Sequence, residues 1–289
     1  MKTIIKSFLI VATALFVVGC GGGGTGGISQ DRLFPSNSRL ASPTDSNAQE
    51  VADLLFGYNT DRIVPANARK VSDSKKFTIL NLLLNNVKEF NKNSDLSKHS
   101  RLTDESEYCD SGSLYKDTLS NGAVEYRYNN CTQGDFNFNG TVRKHIYNNK
   151  LDVNYITDFT VQDLNSDDTI VVKKDSSISL EKLSSGDFRI RLNLITTENG
   201  KSSGFENVVF ILNFDKETSS GTMYQSSGNI YINNLQEYVK WDSSYNMKNT
   251  PLVYDNGTIT DGEAHYIMRD ATLSIYANGD GTATYDILR

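Results

Sequence analysis

The sequence predicts a mainly β protein: a large antiparallel up-and-down meander of roughly ten to twelve strands, forming a curved sheet or partial barrel, with one or two N-terminal helices packed on it. Three observations carry that expectation. From Cys109 onward apolar residues recur at every second position, clusters of turn-forming residues separate the runs, and no helical pattern falls between them. Alternation at period two marks strands with one buried face, and the lack of intervening helices argues against parallel βαβ units. Proline stands only at 35, 43, 65 and 251, so nothing from 66 to 250 deprives a β ladder of a backbone donor.

At the N-terminus, Lys2 and Lys6 precede an apolar run from Phe8 to Val18, interrupted only by Ala12, Thr13 and Ala14. A permanent membrane helix takes about 20 apolar residues, so this shorter run reads as a signal peptide over residues 1–19. Val17-Val18-Gly19-Cys20 resembles the lipobox of bacterial lipoproteins, with Val17 where Leu is usual and Val18 where Ala or Ser is usual. The resemblance implies cleavage before Cys20, diacylation of its sulfur with palmitate-like chains, and acylation of its new amino group. Each buried CH₂ contributes about 0.8 kcal/mol, so two or three such chains would hold a protein on a membrane without a spanning helix. Gly21, in place of the Asp that retains such proteins in the inner membrane, implies the outer membrane, on its periplasmic side or at the cell surface.

Gly21 to Gly27 and the polar segment up to Asp45 show little periodicity and read, from residue 20 to 45, as a lipidated cysteine on a flexible tether. About 25 coil residues would set the folded part roughly 25–30 Å from the lipid. A helical segment follows over 46–108. Ser46-Asn47-Ala48-Gln49 has capping-box spacing, and Ala48, Val51, Ala52 and Leu55 share a face before Gly57. A second helix is expected over 74–93, where Phe77, Ile79, Leu80, Leu83, Leu84, Val87 and Phe90 gather on one side, against Thr78, Asn81, Asn85, Lys88 and Lys92. That stripe is a core face or a hydrophobic-ligand face, and the sheet that follows is its mate.

The β domain runs from 109 to 289. Val124, Tyr126 and Tyr128 alternate with Glu125 and Arg127. Leu151, Val153, Tyr155, Phe159 and Val161 share one parity, as do Phe188, Ile190, Leu192 and Leu194, then Val208, Phe210, Leu212 and Phe214, and finally Leu273 and Ile275. Turns are expected at Asn121-Gly122, Asn139-Gly140, Asn165–Asp168, Ser184–Asp187, Asn199-Gly200, Ser219–Gly221 and Gly279–Gly281. Charges on the other parity, Glu125, Arg127, Arg189 and Arg191, argue against a barrel that faces lipid. The segment Cys109–Val142 resembles the β-rich repeat of uncharacterised Gram-negative envelope lipoproteins, and Thr250-Pro251-Leu252 through Gly262 to Asp286 resembles the end of that group. The resemblance covers about a quarter of the chain and implies a fold and an address, with no catalytic residue to carry over.

Cys109 and Cys131 are the thiols left once Cys20 is assigned to lipid, and an even pair in an exported chain reads as a disulfide. The net charge of −6 becomes −8 once residues 1–19 take Lys2 and Lys6 away, which argues against nucleic acid as a partner. Gly200-Lys201-Ser202-Ser203-Gly204 matches the G-x-S-x-G pattern of hydrolases, yet it joins two strands, whereas a nucleophile elbow joins a strand to a helix. His99, His145 and His265 are not spaced as metal ligands, and Asn278–Thr282 lacks the carboxylates of a calcium loop. No cofactor or metal is expected.

The expectation for function is an outer-membrane-anchored lipoprotein that binds or scaffolds envelope components without catalysis. The partners are the membrane, through the lipid, and an envelope protein or lipid. The first alternative is a carrier of lipids or other hydrophobic ligands on the concave face of the sheet, with 74–93 as lid. The second is a hydrolase, which would need a cleft with clustered polar groups.

Overall fold

The computed structural model describes residues 33–56, 109–165, 168–214, 220–242, 251–255, 258–278 and 283–289. Cys20 with its flanking segments, the expected helix carrying Phe77, Leu80, Leu83, Leu84, Val87 and Phe90, His99 and the turn at Gly279–Gly281 lie outside the described residues. In chain order the elements are β1 (Arg39–Leu40), α1 (Asp45–Phe56), β2 (Ser111–Thr118), β3 (Val124–Gln133), β4 (Phe136–Tyr147), β5 (Lys150–Tyr155), β6 (Phe159–Asp163), β7 (Thr169–Val172) and β8 (Ser177–Lys182). They continue with β9 (Phe188–Glu198), β10 (Lys201–Phe214), β11 (Gly221–Ile232), β12 (Glu237–Trp241), β13 (Leu252–Asp255), β14 (Thr258–Asp261), β15 (Glu263–Met268), β16 (Ala271–Ala277) and β17 (Ala283–Leu288).

The protein is mainly β and antiparallel, with one short helix among the described residues, near the N-terminus. Among the described residues there are 17 strand segments against the expected ten to twelve, because long strands such as β4 and β11 each pair with two shorter segments on one side. β4 pairs with β5 along one half and β6 along the other; β5 pairs with β8 and β6 with β7. In the same way β11 pairs with both β12 and β13, which in turn pair with β15 and β14. Joining β5 to β6, β7 to β8, β12 to β13 and β14 to β15, and leaving out the two-residue β1, makes twelve strands in up-and-down order.

Two compact units divide the chain. One is built from residues 109–181 and 193–202 and the other from 34–56, 182–192 and 203–289, so β9 and β10 contribute residues to both. In the first unit, Tyr126, Tyr128, Phe138, Val142, Leu151, Val153, Tyr155 and Phe159 are buried, as their shared parity predicts. Tyr128 meets Phe159 edge-on at 5.4 Å, and Phe138 stacks near the same ring at 6.4 Å. The parity survives the β5–β6 interruption because the register moves by two residues, from Val142 opposite Tyr155 to Asn139 opposite Thr160. Asn139-Gly140, expected as a turn, instead lies inside β4. A Cβ on Gly140, at φ +125°, would stand 2.5 Å from the Asp158 carbonyl oxygen, so glycine is needed where the kinked neighbour comes close. Cys109 and Cys131 form the expected disulfide, with Cα atoms 5.2 Å apart. Glu125, on the charged parity, is nevertheless buried, held by Arg143 at 2.8 Å and Arg127 at 3.0 Å.

The second unit corrects the tether. Coil was expected to Asp45, but Phe34 is buried and stacks on Tyr231 at 4.7 Å, β1 runs parallel to β12, and Ala41 is fully enclosed. Short polar sequence hid this, because two ladder residues show no periodicity. The helix begins one residue before its expected start and is capped by Thr44, whose Oγ1 accepts from Asn47 N at 3.3 Å, not by Ser46. Its Ala48, Val51, Ala52 and Leu55 are buried as expected, and it packs on β11 and β17. Ile190, Leu192, Phe205, Val208, Phe210, Leu212, Ile230, Ile232, Leu273 and Ile275 complete this core.

Candidate functional site

In the second unit β12 ends at Trp241 and β13 begins at Leu252, and residues 243–250 lie outside the described residues. Asn229 of β11 faces Lys240 and Met223 faces Leu252, but Tyr224 to Gly228 between them have no ladder partner on that side among the described residues. On the next strands Trp241 pairs with Tyr266, the Asp242 N–H bonds the His265 carbonyl and Val253 pairs with Asp261, which leaves Gly262–Ala264 between the two pairings. Pro251 stands immediately before the first residue of β13.

A cavity of about 370 Å³ occupies this break, lined by Phe210, Thr222, Met223, Tyr224, Gln225, Trp241, Pro251, Leu252, Glu263, Ala264 and Tyr266. Residues of both parities reach it because it lies at a gap, where the alternation of a continuous sheet would bring only one. Met223, Leu252, Ala264, Tyr266 and Phe210 form buried walls, while Tyr224 is half exposed. Trp241, the single tryptophan of the chain, meets Tyr266 edge-on with ring centroids 5.5 Å apart. The Tyr266 hydroxyl donates to Gln225 Oε1 at 2.7 Å, and Gln225 Nε2 donates to the Ser227 carbonyl at 3.0 Å. Burial pushes the Tyr266 phenol well above its ordinary range, so it stays protonated and remains the donor.

Behind the Glu263 wall, Ser274 Oγ and His265 Nδ1 are 2.8 Å apart, and His265 Nε2 lies 3.3 Å from Glu263 Oε1, within ion-pair distance but not aligned as a hydrogen bond. A serine, a histidine and a carboxylate in line invite comparison with a nucleophilic triad. The comparison fails on access: Ser274 is 0% exposed and His265 2%, so no substrate carbonyl reaches the hydroxyl. Sequence placed His265 in a strand, correctly, and gave no sign of Ser274.

Ser202 of the G-x-S-x-G run also has no elbow. Asn199 and Gly200 alone make the turn, at φ 49° and 81°, and Ser202 lies within β10 with its hydroxyl 2.8 Å from that of Thr197. The strand begins at Lys201, four residues earlier than a five-residue loop over 200–204 would allow. Asp158 and Glu237 are each held ionised. A backbone N–H from Lys174 does most to lower Asp158, helped by the Lys173 ammonium. Desolvation is the largest effect on Glu237 and raises it, but hydrogen bonds from Asn233 and Asn47 with the Arg39 charge outweigh it. These carboxylates are structural groups. Among the described residues no three His, Cys, Asp or Glu side chains converge as a metal site, and no helix is long and apolar enough to cross a membrane.

Cys109 and Cys131 are thus brought together, whereas Cys20 and the Phe77–Phe90 stripe lie outside the described residues. The pocket was missed because its walls come from five strands, with Gln225 and Tyr266 alone 41 positions apart. Its available signals were the lone Trp241 and the one proline after position 65, Pro251. Comparison with protein-family models, curated proteins and solved structures finds no match to this chain.

Proposed function

We propose that the chain is an envelope lipoprotein, anchored in the outer membrane through acyl groups on Cys20, whose β domain works by binding and not by catalysis. The observation that carries the binding half is the aromatic-walled cavity of about 370 Å³ at the β12–β13 break, which lies in the size range of small-molecule sites. The polar constellation beside it supports the same reading, since the Ser274–His265–Glu263 line is closed to substrate. Gly19-Cys20 after the apolar run supports the anchoring half. Packing of Phe34 shortens the leash this implies: Cys20 to Phe34 reaches no more than about 50 Å even when fully extended. The second unit, and its pocket, would therefore work close to the membrane.

Two measurements test the halves separately. Cells expressing the Cys20→Ser variant should lose the palmitate label and release the protein from the membrane fraction; a retained label removes the lipid anchor. Native mass spectrometry of protein purified under mild conditions, combined with Trp241 fluorescence titrations against small-molecule panels, tests binding. Absence of any bound species and of any saturable response removes that reading.

A further inference from the structure

Residues 34–41 and the β11–β12 turn hold each other, and the turn carries the strain of the arrangement. Asn233, Asn234 and Leu235 follow one another at φ 51°, 54° and 67°. Asparagine enters this left-handed region readily, but a leucine there crowds its Cβ against the following carbonyl. A residue in such a conformation stays there only where its surroundings over-determine it. Two sets of bonds do so here. On one side α1 grips the start of the turn, with Glu50 Oε1 accepting from Asn233 N at 3.0 Å and Asn47 Oδ1 from Asn233 Nδ2 at 2.8 Å. On the other side the N-terminal segment takes the carbonyls that follow. Ser38 Oγ donates to Leu235 O, Arg39 N to Gln236 O at 3.1 Å and Ala41 N to Tyr238 O at 2.8 Å.

That second grip is slight beside the rest of the unit. β1 is two residues long, whereas β16 is seven. Among the described residues its apolar hold is the Phe34 ring, stacked on Tyr231, and the methyl group of Ala41, while Pro35, Ser36, Asn37 and Arg39 are exposed. Arg39 adds an ion pair to Glu237, but from an exposed side chain, where such pairs contribute little. α1 does not depend on the segment: it has its own buried face, its own cap at Thr44 and its own bonds to Asn233 and Glu237. Segments held by few buried apolar groups open without the rest of a domain. Here opening also frees Leu235 from its strained conformation.

We propose that residues 34–41 are a releasable latch that sets how far the second unit can stand from its anchor. Seated, they keep Phe34 on the unit and limit the span from Cys20 to about 50 Å; released, they lengthen the chain as far as α1, and the limit becomes about 85 Å. The change of reach rests on the Cys20 anchor proposed above, whereas the opening of the latch rests on the contacts of residues 34–41 alone.

Hydrogen exchange of the full chain, read by mass spectrometry, tests the opening. The amides of Arg39 and Ala41 should be protected at least about a hundredfold less than those of β16, and their opening should not respond to urea that leaves the unit folded. Relieving the strain should tighten the latch. Leu235→Gly, free to adopt positive φ, should raise protection at Arg39 and Ala41 about five- to thirtyfold, the equilibrium equivalent of one left-handed residue. Leu235→Asn should act in the same direction. Phe34→Ala and Ser38→Ala should lower protection across residues 34–41 and leave β16 unchanged, which separates release of the latch from misfolding. Neutron reflectometry of the acylated chain on a supported bilayer should then find the Phe34→Ala protein farther from the lipid than the unaltered chain. If Arg39 and Ala41 are protected as well as β16, or if both Leu235 variants lose protection there, the latch is refuted and the anchor stands. A protein layer that does not move removes the change of reach. If Cys20 carries no acyl group, the anchor fails and takes the change of reach with it, while the exchange data still decide the opening.

Discussion

Asn47 in the first turn of α1 and Glu237 at the head of β12 are 190 residues apart in the chain and hydrogen-bonded at 3.0 Å. The same carboxylate accepts from Asn233 Nδ2 at 2.7 Å and Ser42 Oγ at 3.3 Å, and it has Arg39 and Arg269 at 3.4 and 3.9 Å. One buried acid therefore ties the N-terminal segment, the helix and the β11–β12 turn together. Glu237→Ala would remove an acceptor from the buried Asn47 and the part-buried Asn233 and leave one amide hydrogen of each unpaired. A buried unpaired polar group costs about 1–3 kcal/mol, so the variant should lose roughly 2–4 kcal/mol. Urea denaturation followed by Trp241 fluorescence, which reports on this unit, measures it. An unchanged midpoint would show that the clamp contributes nothing.

Acid should weaken both units. The Arg143 hydrogen bond does most to hold Glu125 below the ordinary carboxylate range, and Glu237 and Asp158 are also lowered. An acid with a folded-state pKa below its unfolded value, about 4.3 for Glu and 3.9 for Asp, takes up protons more readily when unfolded. The stability it contributes is present above the unfolded value and is lost as pH falls through the folded one. Melting temperature should therefore be flat above about pH 5 and fall below about pH 4. Arg127 and Arg39 are more than half exposed, so added salt should reduce part of the effect. A melting temperature unaffected between pH 5 and 3 contradicts this assignment.

The disulfide should act on the first unit alone. It links positions 22 apart, and closing a loop of that length removes unfolded-state entropy worth about 3 kcal/mol. Cys109 and Cys131 hold the ends of β2 and β3, where Gly112 and Asn130 both take positive φ in a bulge. The double Cys109→Ser, Cys131→Ser variant should show faster amide exchange across β2 and β3 and unchanged exchange in β16 and β17. Equal acceleration everywhere would mean that the two units unfold together.

The meander was legible because its long strands are amphipathic: Leu151, Val153, Tyr155 and Phe159 declare one buried face even across a kink. The interruptions were not legible, since β7, β13 and β14 have four residues each, too few for alternation to stand out. Asn139-Gly140 reads as a turn by local chemistry, yet tertiary approach of Asp158 is what demands the glycine. The N-terminal segment was misread for the opposite reason. Its attachment through Phe34, Ser38 and Arg39 is to partners roughly 200 residues away, which no local pattern encodes. The pocket shares that property, being a gap in a ladder whose edges are set by distant pairings.

Gly262 offers a way to disturb that gap without touching its lining. It joins β14 to β15 at φ +103°, and a Cβ there would stand 2.3 Å from the Pro251 carbonyl oxygen and 2.8 Å from Leu252 Cα. Gly186, in the β8–β9 turn of the same unit, has a similar φ of +94° but nothing within 4 Å of the added atom. Gly186→Ala therefore isolates the backbone strain of a side chain in this conformation, about 1–2 kcal/mol. Gly262→Ala adds a backbone clash to the same strain, and β13 must move away from β14 to relieve it. Its loss should exceed that of Gly186→Ala by at least about 1 kcal/mol, and Trp241 emission should shift because Pro251 and Leu252 frame its pocket. Urea denaturation and emission spectra of the two variants, run side by side, make the comparison. Equal losses with an unmoved Trp241 spectrum would show that the gap tolerates its rim being widened, and that its width is not set by the approach of Gly262 to Pro251.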